Sequence, residues 1–174
     1  GSMGSGFEIF DSYFKGKITA IKQRKVAGIL GDENSGNVYS TPSILRSYSI
    51  GKIIGTGATN NASVSGITSA KNDTVTSKFV FSNMIIDNSL SDTPLNSAPI
   101  NTNGAVNGGY FRSAICSIPM NCITNSLHAA VSAPISYFYN MSNAPMNNWG
   151  SQWTATTTFP TLAPGDPCDS YVVP

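Results

Sequence analysis

Ser47-Tyr48-Ser49-Ile50-Gly51-Lys52-Ile53 repeats an earlier stretch of the same chain, Ser12-Tyr13-Phe14-Lys15-Gly16-Lys17-Ile18, 35 positions upstream. Each copy is followed by a turn of small residues: Val26-Ala27-Gly28-Ile29, then Val64-Ser65-Gly66-Ile67, 38 positions on. Self-similarity at a near-fixed period marks a structural unit used more than once, and units of this length stack into solenoids or propellers. Within the unit, Ser47-Tyr48-Ser49-Ile50 alternates as a strand with one buried face does. A Gly or Ala at a fixed place lets the chain turn sharply or lets the next layer approach. One unit cannot bury its apolar face alone; stacking creates a continuous core. Tyr13 and Tyr48 are therefore expected in equivalent positions of adjacent layers, about 4.8 Å apart along the backbone. Gly16 should stack on Gly51, and Gly28 should lie near Gly66.

The rest of the chain fits the same pattern more loosely. Glycine and proline number 16 and 10 among 174 residues, so long helices would be interrupted often. Turns are expected at Asp32–Gly36 and Gly55–Ala62, and a long loop with Pro94 and Pro99 at 91–107. Phe79-Val80-Phe81 and Met84-Ile85-Ile86 form the strongest strand pattern. Spacing places Ser82-Asn83 in the Ser47 slot, and Asn125 to Val131 as a further copy. Val106-Asn107-Gly108 reads as a third Val-x-Gly start. Gly1 to Gly6 reads as an expression scar, which implies that the natural N-terminus was cut away. The expected organisation is one domain over 7–174: clear repeats at 7–70, degenerate repeats at 71–135 and a capping tail at 136–174.

The quoted residues, with Val26-Ala27-Gly28-Ile29-Leu30-Gly31 and Asn34-Ser35-Gly36, resemble the GLUG repeat of bacterial surface and secreted proteins. Those include adhesin-like proteins and non-catalytic parts of immunoglobulin A metallopeptidases. The resemblance implies a right-handed parallel β-helix, here of about four irregular coils with a C-terminal cap. Tyr137-Phe138-Tyr139-Asn140, Trp149, Trp153 and Phe159-Pro160 resemble the aromatic close that follows such repeats. The chain departs from the pattern at Ser65-Gly66-Ile67-Thr68 and in the 88–107 insertion.

Only 11% of residues are charged and the net charge is +1, which argues against a nucleic-acid partner. No 18-residue apolar stretch exists, so no membrane span is expected in this chain. Low charge with abundant Asn, Ser and Thr suits an extracellular all-β protein. Cys116, Cys122 and Cys168 leave two readings. Either one disulfide forms, with Cys116–Cys122 preferred because Pro119 bends the enclosed loop, or all three are buried thiols.

Candidate chemistry is sparse. His128 is the single histidine and sits in a degenerate slot, which favours a structural role over a triad or metal site. Asp32-Glu33-Asn34-Ser35-Gly36 starts like a calcium loop but lacks the closing bidentate Glu. Gly51, Gly55 and Gly57 lack the Gly-Lys-Ser/Thr of a phosphate loop. Asn61, Asn72 and Asn140 begin glycosylation-type triplets, as chance allows in an Asn/Ser/Thr-rich chain. Thus no catalytic, cofactor or metal site is expected. Lys15, Lys17, Lys22, Arg24 and Lys25 hold half of the ten basic residues. They can contact acidic glycans or lipid headgroups, or blunt an edge strand. Trp149 and Trp153 can either cap the open end of the stack or stand exposed as a sugar platform.

The leading expectation is a non-enzymatic bacterial cell-surface or appendage module, for adhesion or as a rigid spacer. Its partners would be a host or cell-surface glycan or protein, and neighbouring domains of a longer chain. The alternatives are a β-helix carbohydrate-active enzyme and a pilin-like subunit whose N-terminal helix was removed.

Overall fold

A computed structural model describes residues 8–21, 25–31, 43–56, 63–69, 75–87, 96–98, 100, 106–112 and 128–163. These form strands β1 (Glu8–Phe10), β2 (Tyr13–Ile21), β3 (Lys25–Ala27), β4 (Ser43–Leu45), β5 (Tyr48–Thr56), β6 (Ser63–Ser65), β7 (Thr76–Asp87), β8 (Asn96–Ala98), β9 (Val106–Arg112) and β10 (His128–Ala133). Two 3-10 turns, Ile135–Tyr139 and Met146–Asn148, and the short strands β11 (Trp153–Thr154) and β12 (Thr161–Leu162) follow.

The repeated heptad sets the register. β2 and β5 pair in parallel with Tyr13 beside Tyr48, Gly16 beside Gly51 and Ile18 beside Ile53. β3 and β6 pair in parallel with Val26 beside Val64. The Gly28 N–H donates to the Gly66 carbonyl at 3.2 Å. All the juxtapositions expected from the two copies are present. The large sheet has seven strands: β1 and β2 lie beside β4 and β5, these beside β7, then β9 and β10. The small sheet runs β3-β6-β8, and every pairing within the two sheets is parallel. The protein is all-β, as its composition suggests.

Later units depart from the simple spacing. Ser82 stands beside Ser49, not Ser47, and Phe81 takes the place beside Tyr48. The unit is shorter here, and the large aromatic determines which residue fills the slot. The Val106 segment is not a third turn of the small sheet. It forms β9 of the large sheet with Tyr110 beside Phe81, because Tyr110 supplies the next aromatic of that row. The third strand of the small sheet is β8, with Ala98 beside Ser65. Of the 125–131 copy, His128 to Val131 belong to β10 of the large sheet, with Val131 beside Tyr110, and 125–127 lie outside the described residues.

Strand alternation divides the side chains between two faces. Val26 and Val64 of the small sheet pack with Ala20, Ile53, Met84 and Ile86 of the large one. A second cluster joins Ile44, Ile67, Val75, Val80, Ile100 and Val106. Between the sheets the chain uses small residues where the layers come closest. Ser49 Oγ donates to the Gly66 carbonyl at 2.5 Å, and a Cβ on Gly28 would collide with that carbonyl and with Ser49. Phe14 and Phe111 occupy the same inward row on the outer rungs and pack against the first cluster.

One backbone feature recurs in register. Asp11, Arg46, Phe79 and Gly108 have φ of 49°, 47°, 52° and 65°. They succeed one another across four rungs: Asp11 N–H donates to Leu45 C=O, Arg46 N–H to Lys78 C=O, and Phe79 stands beside Gly108. The left-handed conformation costs an L residue roughly 1–2 kcal/mol. Three of the four positions accept that cost, so the surrounding contacts must hold them. The Arg46–Asp11 ion pair is one such contact. Lys78 Nζ, 5.2 Å above the Phe79 ring, is another.

Residues 134–163 follow β10 and join neither parallel sheet. They run along the outer flank of the large sheet, where the expected cap across the open end would not place them. The reason is the direction of the aromatic row. Tyr13, Tyr48, Phe81 and Tyr110 lie side by side on the outer face, so that flank is the apolar surface in need of cover.

Candidate functional site

The outer face of the large sheet has two halves, one covered and one partly exposed. The covered half is the aromatic row. Tyr13 and Tyr48 stack at 5.3 Å between ring centroids, and Tyr48 and Phe81 at 4.6 Å. The C-terminal strap lays a second layer on this row. Phe138 stacks on Phe81 at 4.6 Å, Tyr137 on Tyr110 at 5.7 Å, and Trp149 lies within 7° of parallel to both Tyr48 and Phe81. Offset stacks of this kind add about 0.5–1.5 kcal/mol each beyond the area they bury.

Hydrogen bonds fix the strap at three levels. The Tyr48 hydroxyl donates to the Pro160 carbonyl at 2.6 Å. The Trp149 indole N–H donates to the Phe79 carbonyl at 2.8 Å, and that of Trp153 to Asp11 Oδ1 at 2.9 Å. Burial, reinforced by Tyr13 nearby, pushes the Tyr48 phenol well above its ordinary value, so it remains a donor. Burial and the adjacent Tyr110 likewise raise Tyr137. Tyr48→Phe should cost about 1–3 kcal/mol in urea unfolding, because it strands a buried carbonyl. A change below 0.5 kcal/mol, on the order of a typical neutral surface substitution, would show that Pro160 finds another donor.

Asp11 anchors the far end of the strap. Arg46 Nε and Nη2 reach its two oxygens at 2.7 and 2.5 Å. Burial opposes ionisation of Asp11, but hydrogen bonds from Arg46, Trp153 and Gln152 and the Arg46 charge outweigh it, and the carboxyl sits below its ordinary 3.8. The Asp11 hydrogen bond in turn raises Arg46. A lowered carboxyl value favours the folded state only when deprotonated. Its stabilisation is complete above pH 3.8 and fades as the pH falls below it. Asp11→Asn keeps a side chain that tolerates φ above zero and an acceptor for Trp153. It should lose about 1–2 kcal/mol at neutral pH and flatten the stability curve below pH 3.8. Equal acid sensitivity in both proteins would exclude Asp11 as the titrating anchor.

The other half follows the aromatic row along the strands and is only partly exposed: Asn83 is buried there and Ile50 packs against the strap cluster. Tyr48, Ile50, Lys52 and Ile54 alternate outward along β5. Their neighbours are Lys15, Lys17 and Thr19 on β2, and Asn83 and Ile85 on β7. Lys15 and Lys17 are exposed, and Lys17 stands directly beside Lys52. Lys15 Nζ lies 5.4 Å above the Tyr13 ring.

The sequence-derived candidates separate accordingly. Lys15 and Lys17 share that half, on the outermost described strand of the large sheet, where exposed lysines also hinder strand addition. Lys25 is on β3 of the small sheet, and Lys22 and Arg24 lie outside the described residues. Among the described members, Lys25 is thus in a different sheet from Lys15 and Lys17. Trp149 and Trp153 are only 9% and 5% exposed, so neither indole is presented as a sugar platform. Cys116, Cys122, Cys168, Asp32, Glu33 and Asp92 lie outside the described residues. His128 begins β10, and Asp87 ends β7 beside Ile54. Among the described residues no three His, Cys, Asp or Glu side chains come together as a metal site, and no helix is long and apolar enough to cross a membrane. Lys52 and Arg46 escape a reading of charge runs, yet the Gly-Lys-Ile shared by both copies already aligns Lys17 with Lys52.

Comparison with known protein families, with curated proteins and with solved structures finds no match.

Proposed function

We propose that the chain is a β-solenoid segment of a bacterial extracellular surface protein, a non-catalytic module that binds surfaces or spaces other domains. The observation that supports it is the shared period of the two sheets. One unit separates Tyr13 from Tyr48 in the large sheet and Val26 from Val64 in the small one. Strands of both sheets thus recur once per unit, an order compatible with a parallel β-helix. A right-handed course is expected of such parallel crossovers. The GLUG-like residues add the expectation of a surface or secreted setting. The aromatic row, where a ring-stacking ligand would be sought, is occupied by the chain's own strap. Exposed contacts for this reading remain at Lys15 and Lys17 on β2.

Two measurements test it. Fluorescently labelled protein should bind intact bacterial or epithelial cells saturably in flow cytometry. Incubation with polysaccharides should release no reducing ends or unsaturated sugars above a heat-killed control. Release above that control would overturn the non-catalytic reading, and absence of cell binding would remove the adhesive half of it.

A further inference from the structure

We propose that the outer edge of β2 docks an extended segment of a partner protein, added as one more parallel strand, with carboxylates at the two positions that face Lys15 and Lys17. The proposal goes beyond the module reading above and stands on the sheet geometry alone.

Three observations meet at this edge. Among the described residues, β1 and β2 close one end of the large sheet and pair on one side only. An unpaired edge is a template for another strand, and adding a strand to it is a general mode of peptide recognition. The core rows also end here without a roof. Ile9, Tyr13 and Ile18 are half-buried, whereas Ile44, Tyr48 and Ile53, their neighbours one rung in, are fully buried. Gly16 supplies the third observation. A Cβ on Gly51 would collide with the Gly16 carbonyl, so the glycine at 51 is what admits β2. Gly16 has the same kind of backbone, with φ +155° against +131°, and is exposed. The atoms nearest to a Cβ there belong to the Phe14 ring of the same strand, not to a neighbouring backbone. The room that Gly51 makes for β2 is thus made again at Gly16, on the outside of β2.

Charge selects the occupant. Lys15 and Lys17 are exposed on either side of Gly16 and project to one face about 6.6 Å apart. A parallel strand laid about 4.8 Å beyond β2 brings residues of the same spacing beside both. Opposite charges in such pairs attract and like charges repel. The lysines that discourage a basic strand therefore favour one with carboxylates at alternate positions. Lys15 Nζ lies over the Tyr13 ring, a weak contact at an exposed site. Lys52 stands one strand further in and takes no part. A second copy of this chain does not fit. Its β2 would set lysine against lysine, and its opposite terminal strand, His128–Ala133, carries no carboxylate.

The test measures fluorescence anisotropy of the labelled peptide Thr-Val-Glu-Gly-Glu-Val-Thr titrated with the full chain. In register on β2 its glutamates face Lys15 and Lys17, and its valines cover Phe14 and Ile18. Saturable binding is expected. K15Q/K17Q should weaken it at least about tenfold, a loss of roughly 1.4 kcal/mol. K78Q, an exposed charge on an inner strand, should change it less than about twofold, or well under 1.4 kcal/mol. The same peptide N-methylated on the amides facing β2 keeps its charge and should also bind at least about tenfold more weakly. Equal losses in K15Q/K17Q and K78Q would reduce the effect to bulk charge and overturn the site. Unchanged binding of the N-methylated peptide would overturn strand addition. Self-association of the chain through this edge, abolished by K15Q/K17Q in sedimentation, would give the edge to a second copy and overturn the partner. No saturable binding, with cell binding preserved, overturns this proposal alone; peptide binding without cell binding supports it and removes the adhesive reading.

Discussion

Phe81→Ala should lower the unfolding free energy by about 3–5 kcal/mol, as truncation of a buried aromatic does when the site cannot collapse. Phe81 is fully buried and lies between two rings, Tyr48 and Phe138, each at 4.6 Å. Both partners are held from elsewhere, Tyr48 by its strand and by Pro160, Phe138 by its 3-10 turn. They cannot move together to fill the space. Since domains are stable by only about 5–15 kcal/mol, this variant approaches the unfolding threshold. Urea titration followed by tryptophan emission reads the loss directly, because Trp149 and Trp153 belong to the same cluster. Phe81→Leu should lose far less, by keeping most of the volume. If alanine cost under about 1 kcal/mol, well below the range for such truncations, the strap would not be docked on the row as described.

Gly51→Val should be comparably severe, at about 2–5 kcal/mol, from two independent causes. Gly51 has φ +131°, a conformation L side chains rarely adopt, and its Cβ would collide with the Gly16 carbonyl on the neighbouring strand. Backbone strain of this sort costs about 1–3 kcal/mol and overpacking another 1–3. The collision is with backbone, so no rotamer change relieves it; β2 must move away from β5. Circular dichroism melting is the check, with Lys52→Ala as the neighbouring control. A melting temperature within 2 °C of wild type would mean that the strands are not this close.

The first two units were legible because chemistry and spacing agree in them. Ser, Tyr, Gly, Lys and Ile recur at one offset, and every one of those pairs is found side by side. Beyond them the slot keeps its physical demand but changes its residue. The outer row requires an aromatic ring, which Phe81 and Tyr110 satisfy as well as tyrosine at position 48. The two middle positions of the inner row hold small side chains, Ser49 and Ser82, between Phe14 and Phe111. With shorter units, a search for identical letters slips by two residues at Ser82. The burial of the strap was readable from its aromatic content, since so much apolar surface must be covered. Its location was not, because composition states how much surface needs cover and not where that surface lies. The basic residues show the same limit. Lys15 and Lys17 are in the large sheet and Lys25 in the small one, whereas Lys17 and Lys52, far apart in the chain, are neighbours.

The strap travels against the direction in which the rungs are laid down. Tyr137 meets Tyr110 on a late rung, Trp149 spans the middle, and Trp153 closes on Asp11 at the first. A chain emerging vectorially, from a ribosome or through a translocation pore, can pair its strands in order as each unit appears. Its first described rung is nonetheless sealed by residues made more than a hundred positions later, as Asp11 to Trp153 spans 142. A nascent product stopped before Trp149 would therefore keep the aromatic row bare, although every strand of its large sheet had already been made.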